Sequence, residues 1–130
     1  MGDSRLEVQQ WLLKSRSDLE SARVLFEREL YDTAVYHCQQ SAEKALKSYL
    51  AWCELPVMKV HDLTLLVKEC VLLDRSFFSL VEVSEILTPY AIAFRYPGGM
   101  LVPEIVDVEE AIELSEKVLD FVENKFKELK

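Results

Sequence analysis

The sequence has few glycines, prolines, cysteines and positive charges, and each shortage excludes a class of protein. Three Gly and four Pro in 130 residues are too few for a disordered or loop-rich chain. The three cysteines are an odd number at no metal-binding spacing, which predicts buried, reduced thiols. A formal net charge of −8 argues against a broad basic surface for nucleic acid, but a small cationic site remains compatible with it.

Several local sequence signatures are also missing. No apolar run is long enough to cross a bilayer, and the first ten residues lack the apolar core of a signal peptide. We therefore expect a cytoplasmic protein that does not enter a membrane. There is no glycine-rich phosphate loop, no Cys-x-x-Cys pair and no Glu-x-x-His pair of the kind found in di-iron bundles. The sequence therefore predicts no metal site and no cofactor, and spacing alone identifies no catalytic group.

Helical periodicity is clearest in residues 31–52, which carry small residues on one face and bulky apolar residues on the other. Neighbouring helices can pack against such a helix on several sides, so we expect it at the centre of the fold, with Asp32 as its N-cap. A first helix over about residues 5–28, opened by a capping box of Ser4 and Glu7, should pair with it in antiparallel orientation.

Two further helices have recognisable starts. A third helix is predicted from its cap, Asp62, to about residue 73. A last helix is predicted over about residues 108–129, opened by a capping box of Asp107 and Glu110. The apolar residues of both segments recur at helical spacing, which indicates one buried side for each.

A fourth helical segment starts at Phe77 and contains Pro89. Because proline disfavours helical angles at the residue before it, we expect a kink or break at Thr88, after which the helix resumes over residues 90–95. No convincing strand pattern and no internal repeat is present. The sequence therefore predicts a single domain over residues 1–130, an all-α bundle of four or five helices.

Two groups of polar residues remain as candidate sites. Glu43 and Lys47 stand one helical turn apart in the order that favours an ion pair, and we interpret them as a surface pair. Arg95 ends the fourth segment, where its guanidinium group could pair with a carboxylate of the bundle or bind a phosphate. Most arginines near helix ends are structural, so spacing alone favours the first alternative.

Three other polar residues are interpreted as structural. Asp18 falls outside the apolar stripe of the first helix and is expected on its solvated face. His37 lies beside small residues of the central helix, so we expect a partly buried ring with its hydrogen bonds satisfied. His61 stands at the start of the third helix and should bond a neighbouring helix or loop. Either histidine could also reach Arg95 across the bundle or a dimer, although no spacing supports this alternative.

Together these motifs resemble the HEPN family, a group of compact helical domains associated with nucleotides. The resemblance covers nearly the whole chain, and its four motifs keep the family's order, at residues 17–23, 38–47, 61–63 and 95–97. It implies an up-and-down bundle of four or five helices that dimerises. It also implies that polar residues of the fourth helix lie beside the dimer cleft.

Many HEPN proteins are ribonucleases in which an Arg is followed four to six residues later by a His. This chain keeps the Arg as Arg95, but no His follows it anywhere. Metal-independent RNA cleavage needs a group that carries protons near neutral pH, as His does and Arg does not. We therefore expect no efficient nuclease activity.

The resemblance implies instead a binding subunit, a homodimer that pairs with a minimal nucleotidyltransferase in a two-protein toxin–antitoxin module. Arg95, with Lys44 and Lys47, would bind a nucleotide or phosphate, and Tyr90 and Tyr96 could stack on a base, although packing is the expected role of both rings. Two alternatives stay open, a metal-independent ribonuclease with an atypical proton carrier and a purely structural dimerisation bundle. The acidic net charge disfavours an RNA ligand unless the site is locally positive.

Overall fold

A computed structural model describes the backbone of residues 2–98 and 102–129, with side chains from residue 5 onwards. Within these residues the chain forms an all-α up-and-down bundle, as predicted, and contains no strand. A 3₁₀ turn precedes α4 and another follows it, at Arg75–Leu80 and Thr88–Ala91. None of the helices described is both long and apolar enough to cross a membrane. The α-helices are α1 (Gly2–Glu27), α2 (Tyr31–Trp52), α3 (Leu63–Leu73), α4 (Val81–Leu87) and α5 (Ile105–Glu128).

The centre of the bundle is α2, whose observed bounds are those that the sequence predicts. It packs against α1, α3, α5 and the 3₁₀ turn after α4. Both of its predicted faces are buried: Ala34 and Cys38 on the small face, and Leu46 and Leu50 on the bulky face, are at most 2% exposed. Removal of this apolar surface from water is the main source of stability for such a helix.

The turn between α1 and α2 is tight and makes the two helices antiparallel. The Leu30 N–H donates to the Leu25 carbonyl at 2.9 Å, and the Glu29 N–H donates to the Phe26 carbonyl at 3.0 Å. This is the hydrogen-bond pattern of a Schellman ending, in which the residue with positive φ is usually glycine. Here that residue is Glu29, with φ of 61°.

Two of the predicted N-caps are wrong. The N-cap of α2 is Leu30, which makes no side-chain capping bond, and Asp32 is the second residue of the helix. In α5 the cap is Glu104, so Asp107 already lies inside the first turn. The reason is that backbone geometry starts both helices earlier, through the tight turn before α2 and the extended backbone of Glu104 before α5. Both aspartates still lie at the end of the helix where the dipole favours a negative charge.

The other two predicted caps have different outcomes. The Asp62 side chain accepts from the Thr64 N–H at 2.9 Å, so the predicted start of α3 is confirmed. The helix α1 begins at Gly2, two residues before Ser4, which places Ser4 inside the helix. The Ser4 side chain, and with it the predicted capping box, lies outside the described residues.

The break predicted at Pro89 is present, because α4 ends at Leu87 and a 3₁₀ turn follows. Thr88 nevertheless keeps helical angles, with φ −52° and ψ −46°, and its hydroxyl group donates to the Ser84 carbonyl at 2.7 Å. The predicted helix over residues 90–95 is wrong beyond the 3₁₀ turn: residues 92–95 form turns and a bend, and Phe94 has φ of 68°. Pro89 lacks the amide proton that would continue the hydrogen bonds of α4, and the positive φ of Phe94 ends the turn that follows it.

Candidate functional site

Arg95 lines an open cleft of about 290 Å³ beside the first two turns of α2. The irregular chain after Pro89 brings Arg95 and Phe94 to one side of the cleft, and α2 forms the other side. The residues of α2 recur at helical spacing, so one face of its N-terminal end is presented to the opening. This Arg95 cleft is lined by Asp32, Thr33, Tyr36, His37, Phe94 and Arg95.

The guanidinium group of Arg95 lies over an aromatic ring, with its central carbon 4.2 Å from the centroid of Tyr36. Its Nη1 also donates to the Ala91 carbonyl at 3.4 Å, and the residue is exposed. Within the described part of the chain Arg95 forms no ion pair, so the structure does not contain the carboxylate partner that spacing alone favoured. The stacking positions the guanidinium group without neutralising its charge.

His37 is held by a carboxylate from α1. Its Nδ1 lies 2.8 Å from Oδ1 of Asp18, whose Oδ2 accepts from Nζ of Lys44 at 2.5 Å. The expectation that Asp18 is solvated is wrong, since the residue is only 8% exposed. Because α1 packs antiparallel to α2, Asp18 is enclosed between two donors of α2, His37 and Lys44, which the sequence pattern of α1 alone cannot indicate. An ionised carboxylate only accepts hydrogen bonds, so Nδ1 carries the proton of this bond.

The cleft contains the imidazole that the sequence motif lacks. No histidine follows Arg95 in the chain, yet His37 comes from α2 and lines the same cleft. The sequence favours a structural role for His37 and gives no support for its contact with Arg95, because the two residues are 58 positions apart and no spacing rule connects them. The available signal was indirect: Asp18, His37 and Lys44 lie in or beside the segments that carry the family resemblance.

The predicted ion pair of Glu43 and Lys47 is present, with 3.0 Å between Oε2 and Nζ, but it is buried and not on the surface. The two residues are 3% and 5% exposed. Glu43 Oε1 also lies 2.9 Å from Nδ1 of His61, which is the neighbouring-helix bond expected of that histidine. Neighbours cover α2 on every side here, so a position that is exposed on an isolated helix lies in the core. Lys47 is therefore not among the residues that line the Arg95 cleft.

The two tyrosines named from the sequence lie in different surroundings. Tyr90 stacks on Phe94 with 6.2 Å between ring centroids, and burial raises the pKa of its phenol group. Tyr96 follows Arg95 and is 66% exposed. Neither tyrosine lines the Arg95 cleft, although Tyr96 directly follows Arg95 in the chain.

The fold and the cleft define a class of protein, a small all-α bundle with a polar cleft between its second helix and the turn after its fourth. The chain belongs to the HEPN family, because the model of the HEPN domain matches residues 8–125. This confirms the resemblance inferred from the motifs.

Solved structures agree with this assignment. The crystal structure of TT1696 from Thermus thermophilus is 29% identical, with a TM-score of 0.73, and the match covers 91% of this chain and 97% of that chain. The crystal structure of ST0689, an archaeal HEPN homologue, is 23% identical with a TM-score of 0.76, covers 91% and 96%, and shows the fold alone. No curated protein matches the chain.

Proposed function

We propose that this HEPN protein is a binding subunit that holds the phosphate group of a nucleotide in the Arg95 cleft. The observation that carries the proposal is the guanidinium group of Arg95, which is exposed, stacked on Tyr36 and without a carboxylate partner in the described structure. Its planar fork of N–H donors matches two phosphate oxygens at once. A cationic group held in this way is available to a ligand.

The other residues of the cleft favour a nucleotide over inorganic phosphate. Asp32 is half-buried on the same cleft, and its carboxylate can accept hydrogen bonds from the hydroxyl groups of a ribose. Phe94 and the neighbouring Tyr96 provide ring faces for a base. A volume of about 290 Å³ is at the lower end of small-ligand sites, which suits a mononucleotide better than a long chain.

Binding of adenosine monophosphate, measured by titration calorimetry, tests this proposal. Loss of a charged hydrogen-bonded pair typically removes about 1.5–3 kcal/mol, so Arg95→Ala should weaken binding by about tenfold or more. Arg16→Ala is the matched control, because Arg16 is another partly exposed arginine but pairs with Glu123 of α5. Undiminished binding by Arg95→Ala, or no binding by the unaltered protein, would contradict the proposal.

The family relationship supports a proposal about the partners. We propose a homodimer that associates with a minimal nucleotidyltransferase in a toxin–antitoxin module, and the charge of −8 favours a partner with a cationic surface. Sedimentation of the purified protein tests the dimer. Co-purification with a nucleotidyltransferase encoded beside it tests the module, and a monomer that captures no such partner would refute both.

A second candidate function, metal-independent RNA cleavage, is favoured by one observation. His37 lines the same cleft as Arg95, and Asp18 holds its Nδ1. In this reading Nε2 of His37 removes the proton of the 2′-hydroxyl group, and the 2′-oxygen bonds to phosphorus as the bond to the 5′-oxygen breaks. The leaving 5′-oxygen takes a proton from water, and Arg95 stabilises the charge on the phosphorus centre. Incubation of the protein with RNA should then give cleavage that both His37→Gln and Arg95→Ala abolish. Cleavage that survives either substitution, or no cleavage at all, excludes this candidate.

The third alternative, a purely structural bundle, makes the opposite prediction for Arg95. If the cation only fastens the turn to α2 through Tyr36 and bonds the Ala91 carbonyl within the turn, Arg95→Ala lowers the melting temperature and changes no binding. The calorimetric experiment therefore separates this alternative from the binding proposal as well.

A further inference from the structure

We propose that anion binding in the Arg95 cleft is coupled to protonation of His37, so that the imidazolium group is a second cationic contact on the ligand. The proposal rests on the proposed binding function of the cleft. Its basis is the arrangement of Asp18, His37 and Lys44. Because Asp18 bonds Nδ1 of His37, Nε2 is the ring nitrogen that remains for a ligand.

The first step concerns the tautomer of His37. Asp18 accepts at 2.8 Å from Nδ1, so the neutral ring carries its proton there and has a bare lone pair at Nε2. No hydrogen-bond partner of Nε2 is present among the described residues. A lone pair repels the oxygens of a phosphate, whereas the protonated ring offers them an N–H donor. The Asp18 contact therefore makes His37 a receptor for anions only in its charged form.

The second step concerns the position of the ring. His37 lines the Arg95 cleft and also borders a second open cleft, of about 550 Å³, along α1. Tyr36 packs against the ring edge-on, with 5.4 Å between the centroids. The His37 side chain is 28% exposed, so part of it is accessible to a ligand, and its Nδ1 is bonded to the buried Asp18. A phosphate bound by Arg95 in this cleft therefore lies in a cavity that His37 also lines.

The third step is the balance of charge around His37. Two negative groups come from α1: Asp18 is in contact with the ring, and Glu20 lies on the second cleft. A third comes from α2, where Asp32 lies on the Arg95 cleft. Two cations oppose them, Lys44 on the far oxygen of Asp18 and Arg95 across the cleft. A bound anion neutralises Arg95 and adds a negative charge beside the ring, and both changes favour the imidazolium form. Binding of the anion therefore takes up a proton.

The size of the effect follows from linkage. One coupled proton can change the binding constant by at most about tenfold per pH unit, and a histidine that is partly charged before binding gives less. We expect the affinity to fall about three- to tenfold between pH 6 and pH 8. The effect is a property of the pair His37 and Asp18, because the guanidinium group of Arg95 keeps its charge throughout this range.

The experiment uses adenosine 3′,5′-cyclic monophosphate, whose single phosphodiester charge stays constant between pH 6 and pH 8. Calorimetric titration of the full chain at both pH values should give tighter binding at pH 6. Titration at one pH in two buffers of different ionisation enthalpy should show proton uptake, and this readout needs no variant. The variant His37→Gln removes the titrating ring, so weak binding through Arg95 should remain while its pH dependence disappears.

The matched control is His61→Gln. Nδ1 of His61 also bonds a buried carboxylate, that of Glu43, but its ring is 72% exposed and lies outside the Arg95 cleft. This variant should keep both the affinity and its pH dependence.

The outcomes separate this inference from the proposed function. Binding that depends on Arg95 but not on pH, or that is pH-dependent in His37→Gln, overturns the coupling and leaves the binding proposal intact. Tighter binding at pH 8 also overturns it, because it means that Nε2 accepts a hydrogen bond from a ligand hydroxyl group. Absence of cyclic nucleotide binding at both pH values overturns the coupling, and it overturns the proposed function as well when adenosine monophosphate also fails to bind.

Discussion

The buried pair of Glu43 and Lys47 gives the sharpest prediction about stability. Lys47→Met keeps much of the length of the side chain but removes its ammonium group, which leaves Glu43 charged in a site that is 3% exposed. Breaking a buried ion pair typically costs about 3–5 kcal/mol. Glu43 retains His61 at 2.9 Å and Gln39 at 3.3 Å, so we expect the lower end, about 3 kcal/mol. That is a large part of the roughly 5–15 kcal/mol that holds a typical domain folded.

The assay is urea denaturation at pH 7 followed by circular dichroism, with the slope of the transition unchanged. The double variant Glu43→Gln/Lys47→Met leaves neither residue of the pair charged. It should therefore recover at least about 2 kcal/mol of the summed cost of the two single substitutions. Arg16→Met is the exposed control: its ion pair with Glu123 is on the surface, so its loss should cost less than about 1 kcal/mol.

Two results would refute this reasoning. One is a cost below about 1 kcal/mol for Lys47→Met, which is the value for an exposed pair. The other is additivity in the double variant, which would mean that the two side chains do not interact in the folded chain.

Three further predictions concern other parts of the chain. The pKa of Asp74 is lowered to about 2, chiefly by the hydroxyl group of Ser76, so the ionised carboxylate stabilises the fold above its ordinary pKa and loses this effect as the pH falls to about 2. Asp74→Asn should therefore lower the unfolding free energy by about 1 kcal/mol at pH 7. The unfolding free energies of the variant and the unaltered protein should converge between about pH 4 and pH 2. Glu29→Gly should raise the melting temperature by relieving φ of 61°, whereas Glu27→Gly inside α1 should lower it. A thiol reagent should modify only the partly exposed Cys53 in the native protein, because Cys38 and Cys70 are fully buried, and it should modify all three thiols after unfolding. Fast labelling of all three thiols in the native state would contradict the packing of the core.

The helices could be predicted from the sequence because their evidence is local. The bounds of α2 and the buried sides of α1 and α5 follow from residues that recur every three or four positions, and this pattern is present in the chain before it folds. The predicted caps at Asp32 and Asp107 failed because several residue types can begin a helix when the preceding turn already supplies the geometry. Asp62 succeeded because its side chain bonds the amide group two residues later.

The site was less accessible to sequence reasoning because its contacts join distant segments. Asp18 and His37 are 19 residues apart, and the hydrogen bond between them exists only because α1 folds back along α2. The burial of Glu43 depends in the same way on helices that are distant from it in the sequence. Arg95 was identified from its motif, but the loss of the helix after Pro89, which places Arg95 beside α2, was not.

The position of the cleft on α2 has a practical consequence. Four of its six lining residues belong to the helix that forms the core, so a ligand there binds to the domain as a whole and not to a separately mobile loop. Its binding free energy is then added to that of global unfolding, by about 2.7 kcal/mol at a hundredfold excess over the dissociation constant. A library of nucleotides can therefore be screened by thermal shift alone, without a label and without an assay for any reaction.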